Sequence, residues 1–126
     1  MRIHQGLDQP VDFDSLRRNG KSLGSGAVLV LNETHNMVDQ VQQILHFMCH
    51  ESCGKCTPCR EGLYQACQLI DKFAASQGTE QDLQMLQSLF ELMSKDCFCA
   101  LGQGALTAFV SAYENFPEDF AERMVK

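Results

Sequence analysis

The amino-acid sequence predicts an all-α protein, an up-and-down four-helix bundle with a short N-terminal β-remnant. Apolar residues recur at helical spacing from residue 34 onward, and the breaks between these segments are short, which favours antiparallel neighbours. Only residues 26–31 form the apolar run that is typical of a buried strand. With 126 residues the chain suits one ordinary core. We place this core in a helical domain over 34–126 and interpret 1–33 as the tail of a small β-unit and linker.

Charge and composition exclude several classes of function. The chain has ten Lys and Arg against sixteen Asp and Glu, a net charge of −6, which argues against nucleic acid because phosphate binding needs clustered cations. No apolar run reaches the roughly 18 residues of a membrane span, so we expect no direct membrane insertion. Residues 1–9 lack the apolar region of a secretory signal. We therefore expect a cytoplasmic, reducing compartment.

The N-terminal third contains one predicted strand. Residues 1–25 are polar and punctuated by glycine and proline, and residues 28–31 are four consecutive branched apolar side chains that end at Asn32. This run predicts a buried strand. Since one strand cannot make a sheet, its neighbour must come from the preceding segment or from a partner chain.

The first two predicted helices flank a cysteine-rich segment. Thr34 or Asn36 caps the first helix, whose apolar stripe is Met37, Val38, Val41, Ile44, Leu45 and Met48. The second begins at Pro58, a residue favoured at the first helical position, with Thr57 as its cap and Gly78 as its stop.

Three more helices are predicted. The third starts after Thr79, which has Asp82 three residues on. An interruption at 94–102 separates it from a fourth helix over 105–113. Pro117 opens a short last helix, and the acidic stretch 114–122 is interpreted as a solvated terminal helix, with a partner surface as the alternative.

Cysteine usage predicts the chemistry. Seven cysteines, an odd number without an export signal, argue against a disulfide framework and for metal binding or redox chemistry. Cys53, Cys56 and Cys59 form a C-x2-C-x2-C run, and three thiolates on a curled loop can point to three corners of one cube, as in a 4Fe-4S cluster. Gly54 lets backbone amides approach sulfide closely, and Cys59 would lie in the first turn of a helix, where the dipole favours a thiolate.

The spacing leaves the fourth ligand open. Cys67 falls on the apolar stripe of its helix and Cys49 lies on the first helix, so both are interpreted as packing residues. Cys97 and Cys99 lie in the predicted break and, being two residues apart, point to opposite sides of an extended chain. We expect one of them to face the site.

Two other functions fit the same cysteines. A zinc-stabilised interaction module would bind zinc through Cys53, Cys56 and Cys59. His46 and His50, four residues apart and close to Cys53, are either further zinc ligands or two solvated helix residues. A redox sensor with a labile cluster would release or bind a partner when the cluster is lost.

The cysteine segment also resembles a known family. ESCGKCTPCREG at 51–62, followed by CALG at 99–102, is similar to the flavin- and NADH-binding subunit of respiratory complex I and its relatives in NAD(P)-linked hydrogenases and formate dehydrogenases. Residues 10–16 and 23–26 resemble the stretch before that family's C-terminal helical domain. The resemblance implies a four-helix 4Fe-4S-binding domain over 34–126, with the ligands Cys53, Cys56, Cys59 and Cys99, and we leave open whether Cys97 substitutes for Cys99.

The resemblance further implies an electron relay. One 4Fe-4S cluster would pass single electrons from a flavin, NADH-linked site to further clusters, as a component of an NADH dehydrogenase-type oxidoreductase with no independent active site. The partners would be a flavin/NADH-binding chain or domain and another iron–sulfur subunit. The lone GxG at 24–26 is not a dinucleotide fingerprint, so we expect no FMN or NAD on this chain alone. Lys55 and Arg60 are candidate charges that tune the cluster potential.

Overall fold

The computed structural model describes residues 8, 10–19, 21, 23–24 and 26–125. These residues form seven helices and no strand, apart from an isolated β-bridge between Gly78 and Met124. The chain divides into two compact units, 1–34 and 35–126. No helix in the described part of the chain combines the length and apolar content that crossing a membrane requires. The helices are α1 (Phe13–Arg18), α2 (Met37–Glu51), α3 (Thr57–Ala74), α4 (Glu80–Asp96), α5 (Ala100–Gly104), α6 (Thr107–Asn115) and α7 (Pro117–Glu122).

The N-terminal unit differs from the sequence prediction. Residues 13–18, for which the sequence analysis predicted no helix, form α1, and Asp12 caps this helix by accepting a hydrogen bond from the Ser15 amide at 2.8 Å. The prediction that residues 26–31 fold as a buried strand in this chain is wrong, because Val28 and Val30 are 81% and 87% exposed. A strand needs a neighbour to bond, and the described residues offer none. The predicted β-remnant is therefore absent from the described residues.

The predicted start of α2 is confirmed at Asn36. Its side chain accepts a hydrogen bond from the Val38 amide at 2.9 Å, as an N-cap does. The acidic C-terminal helix contributes a second cap, since Asp119 accepts from the Met37 amide at 2.6 Å. The prediction of a solvated terminal helix is confirmed for Glu118 and Glu122, which are exposed, while Phe120 is fully buried and Asp119 ties α7 to the beginning of α2.

The starts of α3 and α4 follow the predicted signals within one residue, whereas α3 ends at Ala74, before Gly78, the residue predicted to stop it. α3 begins at Thr57 with Cys56 as the N-cap, one residue before the predicted start, and Pro58 lies in its first turn. α4 begins after Thr79 as predicted. Thr79 and Asp82 form a capping box, in which each side chain accepts a hydrogen bond from the other residue's backbone amide, at 3.1 and 3.0 Å.

The predicted break at 94–102 is much narrower than the sequence suggests. α4 continues to Asp96, and α5 occupies residues Ala100–Gly104. Only 97–99 remain outside a helix, and Gln103 holds this short link by donating its side-chain amide to the Cys97 carbonyl at 2.9 Å.

Four helices of the second unit pack as the predicted bundle. α3 packs against α2 and α4, and α6 packs against the same two helices, so that the four close a ring. α5 covers α3 and α4, and α7 covers α2 and α6. The largest fully buried side chains are Phe73, Phe109, Phe120, Leu45, Leu63, Ile70, Leu86, Met93, Leu106, Val38 and Val41.

α3 and α4 approach each other closely where Gly62 faces Met93. A Cβ at Gly62 would lie 2.6 Å from the Met93 sulfur, so a larger residue there would force the buried Met93 side chain to move. Cys59 lies one turn before Gly62 in α3, and Cys97 lies one turn after Met93 at the end of α4. Because α3 and α4 run antiparallel, Cys59 and Cys97 lie at the same end of the bundle.

We predict that Asp82→Asn lowers the free energy of unfolding at pH 7 by about 1 kcal/mol. Burial alone would raise the pKa of Asp82, but hydrogen bonds from Lys72 and Thr79 outweigh it and hold this pKa below 3.8. The stabilisation by the carboxylate is therefore full above the unfolded value and is lost as the pH falls through the lower folded value.

Urea unfolding followed by circular dichroism at pH 7 and at pH 3 and below measures this difference. Glu80→Gln, an exposed residue of the same first turn, is the control and should change stability much less. An Asp82→Asn effect that stays constant down to the lowest pH would contradict the role of the charged form.

Candidate metal centre

The cysteine loop, residues 52–56, joins α2 to α3 at one end of the bundle. Gly54 has a φ of 69°, in the left-handed region that favours glycine. Arg60 stabilises the turn by donating its guanidinium Nη1 to the Gly54 carbonyl at 2.9 Å. The Ser52 hydroxyl accepts a hydrogen bond from the Gly54 amide at 3.3 Å. Side-chain hydrogen bonds therefore hold both the amide and the carbonyl of Gly54.

Two of the predicted ligands lie at the beginning of α3. Cys56 is its N-cap residue and Cys59 is in its first turn, as predicted. The free amides and the positive end of the helix dipole favour thiolates at these positions. The Cys59 sulfur also lies 3.2 Å from the Ser52 hydroxyl oxygen.

The second cysteine segment lies directly against Cys59. Cys97 is the residue that ends α4 and Cys99 is the N-cap of α5. A Cβ at Gly102 would lie 2.7 Å from the Cys97 sulfur and 3.3 Å from the Cys59 Cβ. Only glycine at 102 leaves room for the two cysteines to approach each other.

Three sulfur atoms converge at this point. Those of Cys56, Cys59 and Cys97 lie within 4.8 Å of one another, and the three residues are only 7%, 5% and 4% exposed. Cys53 and Cys99 are exposed, and neither belongs to this group of the described residues. The structure thus brings the two predicted segments together, but through Cys56, Cys59 and Cys97, and the four-ligand set stays a prediction.

Cys97 is the residue that the sequence left undecided. The two-residue spacing predicted that one of Cys97 and Cys99 would face the site, and in the structure Cys97 is the buried one. Since α5 begins directly after Cys99, the choice is made by how α5 packs on α3 and α4. No local sequence signal records that packing.

The pKa values of Cys56 and Cys97 are shifted in opposite directions. The backbone amides of Phe98 and Cys59 donate to the Cys56 sulfur and lower the pKa of this thiol below 9.0. Burial raises the pKa of Cys97 to about 11, and the neighbouring Cys56 and Cys59 add to the effect. The directions of these two pKa shifts favour a thiolate at Cys56 over one at Cys97.

The remaining cysteines and the histidines lie outside this centre. Cys67 is buried on α3, where burial and the adjacent Cys49 raise its pKa to about 12, and Cys49 packs partly buried against the core, so their interpretation as packing residues is confirmed. His46 pairs with Asp71 at 2.8 Å and His50 with Glu51 at 3.1 Å, both exposed. The geometry gives no support to a mixed Cys/His zinc site.

Comparison with known proteins identifies the family. Residues 39–123 match the family described as the NADH-ubiquinone oxidoreductase-F iron-sulfur binding region. The chain belongs to this family. The resemblance drawn from the cysteine motifs is therefore confirmed.

Individual relatives match over most of the chain. It is 40% identical to an NADH-quinone oxidoreductase F subunit of Rhizobium meliloti, over 90% of the chain and 27% of the relative. It is 38% identical to the NADH-quinone oxidoreductase F subunit of Streptomyces coelicolor, over 98% of the chain and 28% of the relative. In the crystal structure of an NAD⁺-reducing NiFe hydrogenase in the H2-reduced state, a match with a TM-score of 0.73 and 29% identity covers 76% of this chain and 17% of the other. The chain spans about a quarter of the length of these curated relatives.

The residues present fit the iron–sulfur cluster for which the family is described. The donors are soft thiols, which select iron–sulfur clusters and similar metals. Cys56 and Cys59 are buried beside a second cysteine segment, at the positive end of a long helix and next to a left-handed glycine turn. These features favour thiolates and leave backbone amides close to the site.

We predict that Gly102→Ala distorts the cysteine centre at the predicted ligand Cys59 and the adjacent Cys97, and lowers the iron bound after anaerobic reconstitution by at least about tenfold. The added methyl group would occupy space now filled by Cys97, and neither the helix backbone nor Cys59 can yield easily. Gly104→Ala in the same helix is the matched control, because the nearest atom to its added methyl group would be the Thr107 hydroxyl oxygen at 4.0 Å. Equal iron content in both variants would contradict the close approach.

Proposed function

We propose that this chain is a single-electron relay that holds one 4Fe-4S cluster between a flavin, NADH-linked site and further clusters of an oxidoreductase complex. The observation that carries this proposal is the buried convergence of two cysteine segments in a chain of an iron–sulfur binding family. This function needs no substrate cavity and no catalytic group, because an electron relay requires only a cofactor site and neighbouring redox partners.

The proposed ligands are Cys53, Cys56, Cys59 and Cys99. Cys56 and Cys59 already lie side by side. Cys53 and Cys99 are exposed residues of the adjoining links, so their side chains can turn towards the cluster without unpacking the core. Cys99 also belongs to the CALG segment that carries the resemblance to the family.

The surrounding residues would set the reduction potential. A 4Fe-4S cluster, when bound, takes up and releases one electron, and its potential depends on hydrogen bonds to sulfur, nearby charge and burial. Here the amides of Phe98 and Cys59 donate to the Cys56 sulfur, and the core around Cys56 and Cys59 limits access of water. Arg60 supplies a cation beside the loop.

The proposed partners follow from the part of the relatives that this chain does not span. We propose a flavin/NADH-binding chain or domain on one side and another iron–sulfur subunit on the other, with no FMN or NAD held by this chain alone. Residues 1–33 would be the tail of a small β-unit, and the exposed apolar run 28–31 would pair with the rest of that unit. All seven cysteines are free thiols, as suits the cytoplasm.

We predict that anaerobic reconstitution yields a brown protein with about four iron and four sulfide per chain. Its broad absorbance should bleach with dithionite, and the reduced protein should give an electron paramagnetic resonance signal. Cys99→Ser should lose most of the iron because it removes a ligand, whereas Cys67→Ser, a buried cysteine of α3, should keep it. A colourless protein that contains one zinc would refute the 4Fe-4S cluster. Full iron content and an unchanged spectrum in Cys99→Ser would refute Cys99 as a ligand.

We predict that Arg60→Glu lowers the midpoint potential of the cluster. A negative charge beside the site disfavours the reduced, more negative state, by an amount on the order of tens of millivolts, since unit charges near contact interact by about 1 kcal/mol in water. Potentiometric titration measures the change.

Two controls separate charge from structure. Arg60→Lys keeps the charge and should leave the potential nearly unchanged. Gln81→Glu adds a negative charge on an exposed residue of the first turn of α4, at the opposite end from Cys97, and should have little effect. A potential that stays the same or rises in Arg60→Glu would refute the tuning role.

A further inference from the structure

We propose that Cys56, Cys59 and Cys97 form a second metal-binding set that takes one thiophilic divalent cation, of the Zn²⁺ class, in the protein that lacks the cluster. Neither the family match nor the proposed electron relay assigns a role to Cys97. The site stands on the geometry of three buried thiols and does not depend on the relay.

The spacing of the sulfur atoms fits a single ion. A tetrahedral zinc ion with bonds of about 2.3 Å to sulfur holds its thiolates about 3.8 Å apart. The three sulfurs lie within 4.8 Å of one another, so small side-chain rotations complete the geometry. In a 4Fe-4S cluster each cysteine binds a different iron, so its thiolates are held further apart than those around one ion.

The backbone holds the three residues in place before any metal binds. Cys56 and Cys59 are fixed by α3, and the Cys97 amide donates to the Met93 carbonyl at 3.2 Å at the end of α4. The Gln103 side chain binds the Cys97 carbonyl, and Gly102 leaves the space that Cys97 fills. Because the chain need not be ordered on binding, the entropic cost of binding is low.

The surroundings determine the kind of ion. Among the described residues, the group of three cysteines contains no carboxylate or imidazole ligand. Three thiolates select a thiophilic cation over Mg²⁺ or Ca²⁺. The nearest histidines of α2, His46 and His50, are paired with Asp71 and Glu51 and do not join the group. Since Cys53 and Cys99 also lie exposed outside the group, the fourth tetrahedral position is left to a water molecule.

The two ligand sets share Cys56 and Cys59, so the single ion and the cluster exclude each other. This consequence, unlike the site itself, rests on the proposed function. Assembly of the cluster would then replace Cys97 by Cys99, two residues further along the same link.

Anaerobic titration of the metal-free full-length chain with Co²⁺, which reports thiolate ligands by its absorption, tests the proposal. We expect sulfur-to-cobalt charge transfer and the strong visible bands of a tetrahedral ion. Loss of even a hydrogen-bond partner of a ligand costs about 10- to 100-fold in affinity, so Cys97→Ser should weaken Co²⁺ binding by at least about tenfold. Cys99→Ser and the core control Cys67→Ser should bind nearly as the parent does. Equal losses in Cys97→Ser and Cys99→Ser, or no loss in Cys97→Ser, would overturn the assignment.

A measurement on the parent chain avoids any folding defect of the variants. X-ray absorption of the protein loaded with one Zn²⁺ should show three sulfur ligands at about 2.3 Å and one lighter atom. Circular dichroism melts of each variant confirm that it is folded before its affinity is compared. Four sulfur ligands, or a site dominated by nitrogen and oxygen, would overturn the three-thiolate site whatever the variants do.

Discussion

The packing of α3 on α4 brings the two cysteine segments to the same end of the bundle. The buried Met93 side chain lies against Gly62 at this contact, so a side chain at position 62 would have to displace it. Cys59 and Cys97 each lie one turn from this contact. Gly102 of α5 likewise leaves space for a neighbouring side chain, that of Cys97. The two glycines therefore allow two helix ends and a short link to form one buried centre.

The bundle is closed at the opposite end by aromatic packing. Phe120 of α7 packs edge-on against Phe73 and Phe109, with ring centroids 5.9 and 5.8 Å apart. Arg123 donates to the Ala74 carbonyl at 2.9 Å and pairs with Asp39, which ties α7 to α2 and α3. Since Phe73 lies in the last turn of α3 and the cysteines in its first, the apolar closure and the thiols are at opposite ends. Chemistry at the cysteine end therefore leaves the aromatic closure untouched.

Five cysteines at one end of the bundle provide more thiols than one cluster uses. The helix ends hold Cys56, Cys59 and Cys97 firmly, whereas Cys53 and Cys99 lie exposed in the links. A single small ion and a larger cluster require different spacings of sulfur. The rigid cysteines thus suit the small ion, and the exposed ones supply the reach that a cluster needs.

Local patterns in the sequence determined most of the helical unit. The caps at Asn36 and Thr79 and the cysteine loop lie where predicted, because each depends on neighbouring residues alone. The cysteine motifs also identified the family. Residues 26–31 form no buried strand within this chain, because strand formation depends on a distant partner, and the short helix α5 was missed because its five residues have no periodicity to detect.

The sequence by itself established that one of Cys97 and Cys99 would turn towards Cys56 and Cys59. Only the tertiary structure decided that Cys97 is the buried one. Two residues that alternate along a short link have the same local preferences, so their orientation is set by how α5 and Gly102 pack against α3.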